Sequence, residues 1–313
     1  MKTLLTFLIL IAAVAYNSSG STNLAFVDSK ENPGSVKVVD PDGGTVDKIF
    51  ARDSGKICAL AMDGLLHLYF VDDNSKSIFE VRPRQKSVEA IFTHKDIVRD
   101  LQLRFVNGVR RLYFSDATGA GGDGIIYYLN ETGKAAIYYS VGYTMRQTDV
   151  AGYWDGSFTF DDDGNLYLSS GNRRPASIYR ITDAGPDAVS GSDSEIYTDK
   201  SGPIMGIQYV SPKYIYYADH GSKIYKLDLN TFEREEVYNG NTTWLSDISL
   251  ITKPSKNTTG NYVGSAGSVV YHYPSCRWAN EISKKNEVWF QTPEEAESAG
   301  YQACKVCKPP KAA

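Results

Sequence analysis

Two short pairs of metal-capable side chains near the end of this 313-residue chain offer its clearest chemistry. His272 and Cys276 form an H-x3-C pair, Cys304 and Cys307 form a C-x2-C pair, and 27 residues separate them. Three of the four cysteines and one of the four histidines sit in this tail. Tetrahedral zinc takes four nitrogen or sulfur donors, and two close pairs split by a small folded unit wrap the ion from opposite sides. Four protein ligands leave no open position for water, so such a site holds a fold together. The competing expectation is a disulfide. In an exported protein, Cys304 or Cys307 could pair with Cys276 and leave His272 an ordinary surface histidine.

The residues between the pairs must position them. Glu287-Val288-Trp289-Phe290 has strand composition. Thr292 is placed to cap a helix, with Pro293 at its first position and Glu295 completing a capping box. Gly300 is placed to end that helix in a left-handed conformation. About fifty residues bury little core, and a metal staple makes up the deficit. The tail resembles the metal-binding domain of the Ada DNA-repair protein over roughly 261–310. The motifs are H-x-P-x-C from His272, E-E-A-x-x-A-G-Y from Glu294 and C-x-V-C-K-P from Cys304. That resemblance implies zinc held by His272, Cys276, Cys304 and Cys307. In the repair protein all four ligands are cysteines, and the first accepts a methyl group from DNA phosphotriesters. His272 occupies that position here and has no thiolate, so methyl transfer does not carry over.

The chain is 42% hydrophobic and 22% charged, with a net charge of −4 that gives no global push toward nucleic acid or an anionic membrane. Residues 1–15 read as an export signal. Lys2 supplies the positive start, Leu4–Val14 an apolar run too short to span a bilayer, and Ala13-Val14-Ala15 a cleavage site. An uncleaved anchor is the alternative. No later stretch is apolar enough for a transmembrane helix, so the expectation is a secreted or periplasmic monomer. Residues 16–252 form the main domain, 253–260 a polar linker and 261–313 the tail module.

The main domain repeats itself. An apolar-aromatic strand ends in Asp or Ser five times, at Leu24–Asp28, Leu68–Asp72, Leu112–Asp116, Leu166–Ser170 and Ile215–Asp219. The end points fall 44, 44, 54 and 49 residues apart. A polar turn and a second strand follow each, then a third, and another strand precedes all but the first. Four short strands at that period predict blades of an all-β propeller. The strand missing before Leu24 reappears as Ser246–Ile251, which closes the ring without an open edge. Five blades are counted, with six open if the loops Val141–Gly156 and Thr182–Ser194 hide more. The pattern resembles the NHL and YWTD propellers, in L-Y-F-V-D, L-Y-F-S-D and I-Y-Y-A-D. Members of those families usually have six blades.

Propellers act at the central channel and at loops of one mouth. Asp63, Asp100, Asp161 and Asp247 lie at or beside the innermost strands. Converging there they could bind calcium or another divalent cation, as in a gluconolactonase-like hydrolase, or they cap turns. Asp219-His220 lacks a nucleophile elbow to serve, and His67 and His94 stand alone. Asp161-Asp162-Asp163-Gly164-Asn165 reads as a hairpin turn before a calcium loop. Cys58 reads as buried and inert. Three function classes follow: a binding protein whose loops take an unknown protein, glycan or small molecule; a metal-dependent hydrolase or lactonase in the channel; and nucleic-acid binding by the lysine-bearing tail.

Overall fold

In a computed structural model the chain is described over 23–311. Excepted are 29–30, 32–33, 40–45, 52–54, 63–67, 73–75, 83–86, 107–108, 117–123, 131, 142–155, 172–173, 186–192, 241–244, 252–259, 266–267 and 299–300. The export signal, Asp63, His67 and Gly300 lie outside the described residues. The chain divides into two compact units, the second of which takes in 251–313.

Strands β1 (Asn23–Asp28), β2 (Ser35–Val39) and β3 (Val46–Ala51) open the first blade. The second is β4 (Ile57–Met62), β5 (Leu68–Asp72), β6 (Ser77–Arg82) and β7 (Ser87–Thr93). The third is β8 (Val98–Val106), β9 (Val109–Asp116), β10 (Ile125–Leu129) and β11 (Ala135–Ser140). The fourth is β12 (Phe158–Phe160), β13 (Leu166–Ser169), β14 (Ala176–Ile181) and β15 (Asp193–Asp199). The fifth is β16 (Ile207–Val210), β17 (Tyr214–Ala218), β18 (Lys223–Asp228) and β19 (Arg234–Asn239). Strand β20 (Leu245–Ile251) then pairs with β1, so the first sheet runs β20-β1-β2-β3. Among the described residues five blades are formed and the closure at Ser246–Ile251 holds, while most of the loops Val141–Gly156 and Thr182–Ser194 lies outside them.

Burial explains why the second strand of each blade reads as an unbroken apolar run. Strand β5 is buried at every position, because both faces of its sheet are covered by neighbouring blades. The outer strands β7 and β19 are largely exposed. Each apolar cluster joins two blades: Ala59, Tyr69 and Ile78 meet Leu101, Phe114 and Tyr127. Tyr113 and Tyr139 likewise meet Phe158 and Leu168. The third and fourth strands slip register at one equivalent place in four blades, after Val36, Ile126, Ile178 and Ile224. Such bulges add the twist that a blade needs.

Polar side chains lace the inner strands into a ring. Asp247 accepts the Leu60 amide at 2.8 Å and Ser249 accepts that of Met62 at 3.2 Å. The Cys58 thiol faces the Val98 carbonyl at 3.6 Å. Asp100 accepts from the Phe158 amide at 2.7 Å and from the Ser157 hydroxyl at 2.5 Å. Ser157 and Thr159 accept the amides of Ile207 and Tyr209, each at 3.0 Å, and Gln208 accepts that of Leu250 at 3.3 Å. Every junction between inner strands is thereby bridged.

The second unit holds a sheet of β21 (Tyr262–Ser265), β22 (Val270–His272), β23 (Glu287–Phe290) and β24 (Gln302–Ala303), in the order β23-β21-β22-β24. Helices α1 (Arg277–Asn280) and α2 (Pro293–Ser298) flank it. The expected strand at Glu287 and helix start at Pro293 are where the sequence placed them. Alternation sends successive residues of β21 and β22 to opposite sides. Tyr271 packs with Phe290, Ala296 and Tyr301 on one side, while Val263 packs with Cys276, Ala279 and Cys304 on the other.

Candidate metal centre

His272 ends β22, and a three-residue turn returns the chain to Cys276, whose amide donates to the Tyr273 carbonyl at 2.9 Å. Cys276 is the N-cap of α1. The second pair is delivered by β24, which runs parallel to β22. The Cys304 amide donates to the Tyr271 carbonyl at 3.0 Å, and the Lys308 amide donates to the Cys304 carbonyl at 2.8 Å. Between those bonds Cys304 and Cys307 are folded over the end of β22.

The donor atoms of His272, Cys276, Cys304 and Cys307 all lie within 4.8 Å of one another. A tetrahedron with Zn–S bonds of about 2.3 Å has edges of about 3.8 Å, so the cluster is of the right size. No disulfide forms among the described cysteines, and the three tail thiols face one point rather than pairing off. Nδ1 of His272 is buried and has no hydrogen-bond partner. An orphaned buried nitrogen costs on the order of 1–3 kcal/mol unless something binds it. A metal ion facing three sulfurs is the partner that this donor set fits.

The electrostatics favour the same reading. Burial holds the His272 imidazole below its usual range, which leaves the neutral ligand form at pH 7. Burial also raises the Cys304 thiol, but amide donors from Cys307 and Val306 outweigh it and hold that thiol below its usual range. The Val306 amide meets the sulfur at 3.4 Å. Cys307 is pushed up to about 11, first by burial and then, against the Tyr273 amide, by the sulfurs of Cys276 and Cys304. Crowded thiols cannot all ionise alone, and a divalent cation removes the obstacle.

Among the described residues, the carboxylates expected at the channel are not brought together as a set, and Asp63 lies outside those residues. Asp100 and Asp247 do meet, with their side chains hydrogen bonded to each other and fully buried. Their remaining oxygen capacity is taken up by backbone amides, including those of Leu101 and Ile248. Asp161 lies apart, held by Asn165, Tyr167 and Arg180. Its D-D-D-G-N run forms the expected hairpin between β12 and β13, with Gly164 at a φ of +93°. Asp219 caps the Gly221 and Lys223 amides, as turn chemistry predicts. His94 corrects the sequence reading: it is not alone, for its Nε2 lies 2.8 Å from Asp116. Spacing along the chain could not show that pair, because strands of two blades bring it together.

Fold and cluster together define a β-propeller joined to an Ada-type metal-binding module. Residues 251–310 match the family described as the metal binding domain of Ada. A chain in the crystal structure of a nidogen/laminin complex overlays with a TM-score of 0.50 at 17% identity. The overlay covers 74% of this chain and 81% of that one. It shows a shared propeller fold, in keeping with the YWTD-type strand pattern. No curated protein matches the chain.

Proposed function

We propose that this is an exported binding protein, in which the propeller recognises a ligand through its loops and one structural zinc ion stabilises the C-terminal module. The orphaned Nδ1 of His272 among three thiols carries the zinc assignment. Zinc there would supply a four-fold crosslink and no reaction, since no ligand position is left for substrate or water. His272 in place of a methyl-accepting cysteine argues against group transfer by this module. The positive start, short apolar run and A-x-A sequence of residues 1–15 support export. Loop recognition is favoured over catalysis because the buried oxygens of Asp100 and Asp247 are already occupied by amides and by each other. No described helix is long and apolar enough to cross a membrane. Elemental analysis of the purified protein tests the reading. One zinc per chain, lost in His272→Ala and in Cys304→Ala, supports it, and a zinc-free protein with Cys276 in a disulfide refutes it.

A further inference from the structure

A second group of converging donors lies in the propeller. His94, Asp96 and Asp116 each place a ligand atom within 4.8 Å of the others. We propose that these three side chains form a second metal site, independent of the cysteine cluster, for a divalent first-row cation held by one nitrogen and two carboxylate oxygens.

Geometry supports this assignment. Strand β7 hands the chain to His94, the turn after it carries Asp96, and Asp116 ends β9 of the next blade. The 2.8 Å between His94 Nε2 and Asp116 Oδ2 is close to the edge of about 3 Å between two ligands bound at about 2.1 Å. The other oxygen of Asp116 is fixed by the Ile125 amide at 3.2 Å, and the Tyr127 hydroxyl is hydrogen bonded to the same carboxylate. Outer hydrogen bonds of this kind orient a ligating carboxylate. The rings of Phe114 and Tyr127 lie 5.2 and 5.1 Å from the His94 ring and shield its side of the site. Asp96 is only part-buried, which leaves an entry path.

Charge strengthens the case. Asp116 has no exposed surface, and among the described residues no lysine or arginine pairs with it. The equivalent Asp28 of the first blade is neutralised by Lys37 at 3.0 Å. The carboxylates of Asp96 and Asp116 offer a divalent ion two anionic oxygen donors beside the imidazole. Lys95 reaches Asp96 at 3.4 Å, but its side chain is 75% exposed, so it can swing aside. A buried carboxylate without a cation is costly. The alternative is the His94–Asp116 hydrogen bond alone, and the two differ in whether metal binds.

Manganese is the discriminating probe, since it favours oxygen and nitrogen donors and competes poorly for thiolates. Titration of the full-length protein with Mn²⁺, followed by the loss of the free-ion paramagnetic resonance signal, should show one bound ion per chain. His94→Gln and Asp96→Asn should each weaken binding at least tenfold while keeping the module's zinc. Cys304→Ala should lose zinc and keep manganese, which separates this site from the cysteine cluster. Asp96 is partly exposed, so its variant carries the test if His94→Gln fails to fold. Absence of Mn²⁺ binding together with no second equivalent of added zinc, or binding untouched by both variants, overturns the proposal and leaves a His94–Asp116 ion pair only.

Discussion

The carboxylate of Asp247 accepts the amide hydrogen of Leu60 at 2.8 Å across 187 residues of sequence. This bond ties β20 to the inner strand of the second blade and completes the ring. On its other side β20 presses against Gly206, where an added Cβ would stand 2.7 Å from the Asp247 Cα.

Gly206→Ala is therefore expected to destabilise the propeller. The neighbours at 2.7 and 2.8 Å are backbone atoms of Asp247 and Ile248, which cannot rotate away. Overpacking of this kind costs about 1–3 kcal/mol, read as a lower midpoint in urea with an unchanged slope.

The Asp100–Asp247 pair should make stability fall as pH rises. Burial pushes Asp100 up to about 7, against hydrogen bonds from Ser157, Phe158 and Leu101. Burial and then the Asp100 charge raise Asp247. The folded protein thus keeps a proton that unfolded carboxyls release near their ordinary value of 3.8. The contribution is complete below about pH 4 and lost as pH rises through about 7, on the order of 1 kcal/mol per pH unit. Asp247→Asn cannot ionise, so its melting temperature should depend less on pH across that window. Equal slopes in the two proteins would contradict the shared proton.

Tyr301→Ala should loosen the zinc. Tyr301 is 2% exposed, packs on Phe290 at 4.8 Å and donates to the Ser265 carbonyl at 3.2 Å. Truncating a buried aromatic costs about 3–5 kcal/mol, a large loss for so small a module. Zinc transfer to a chromogenic chelator is expected to accelerate at least tenfold.

His272→Cys should keep one zinc per chain, because a fourth thiolate suits the same tetrahedron. Its visible spectrum after cobalt substitution should show stronger sulfur-to-metal charge transfer than the wild type. Retained metal with a spectrum unchanged from the wild type would mean that His272 is no ligand.

The blades could be read from the sequence because their strands are buried on both faces and end in a recurring Asp or Ser. The four cluster residues were legible from spacing, since each pair lies within one turn of chain. What spacing hid are contacts made by ring closure. Asp100 and Asp247 belong to strands far apart in sequence, and only the return of β20 to the first blade lets them meet. His94 and Asp116 belong to successive blades, and nothing local marks His94 as a partner. Asp161 was grouped with Asp100 and Asp247 by its place beside an inner strand. The hairpin at Gly164 instead directs it to Asn165 and Tyr167.

X-ray absorption at the zinc edge of the purified protein tests the central claim most directly. The account predicts one nitrogen at about 2.0 Å and three sulfurs at about 2.3 Å, with the nitrogen shell lost in His272→Cys. A shell of oxygens, or fewer than three sulfurs, would contradict it.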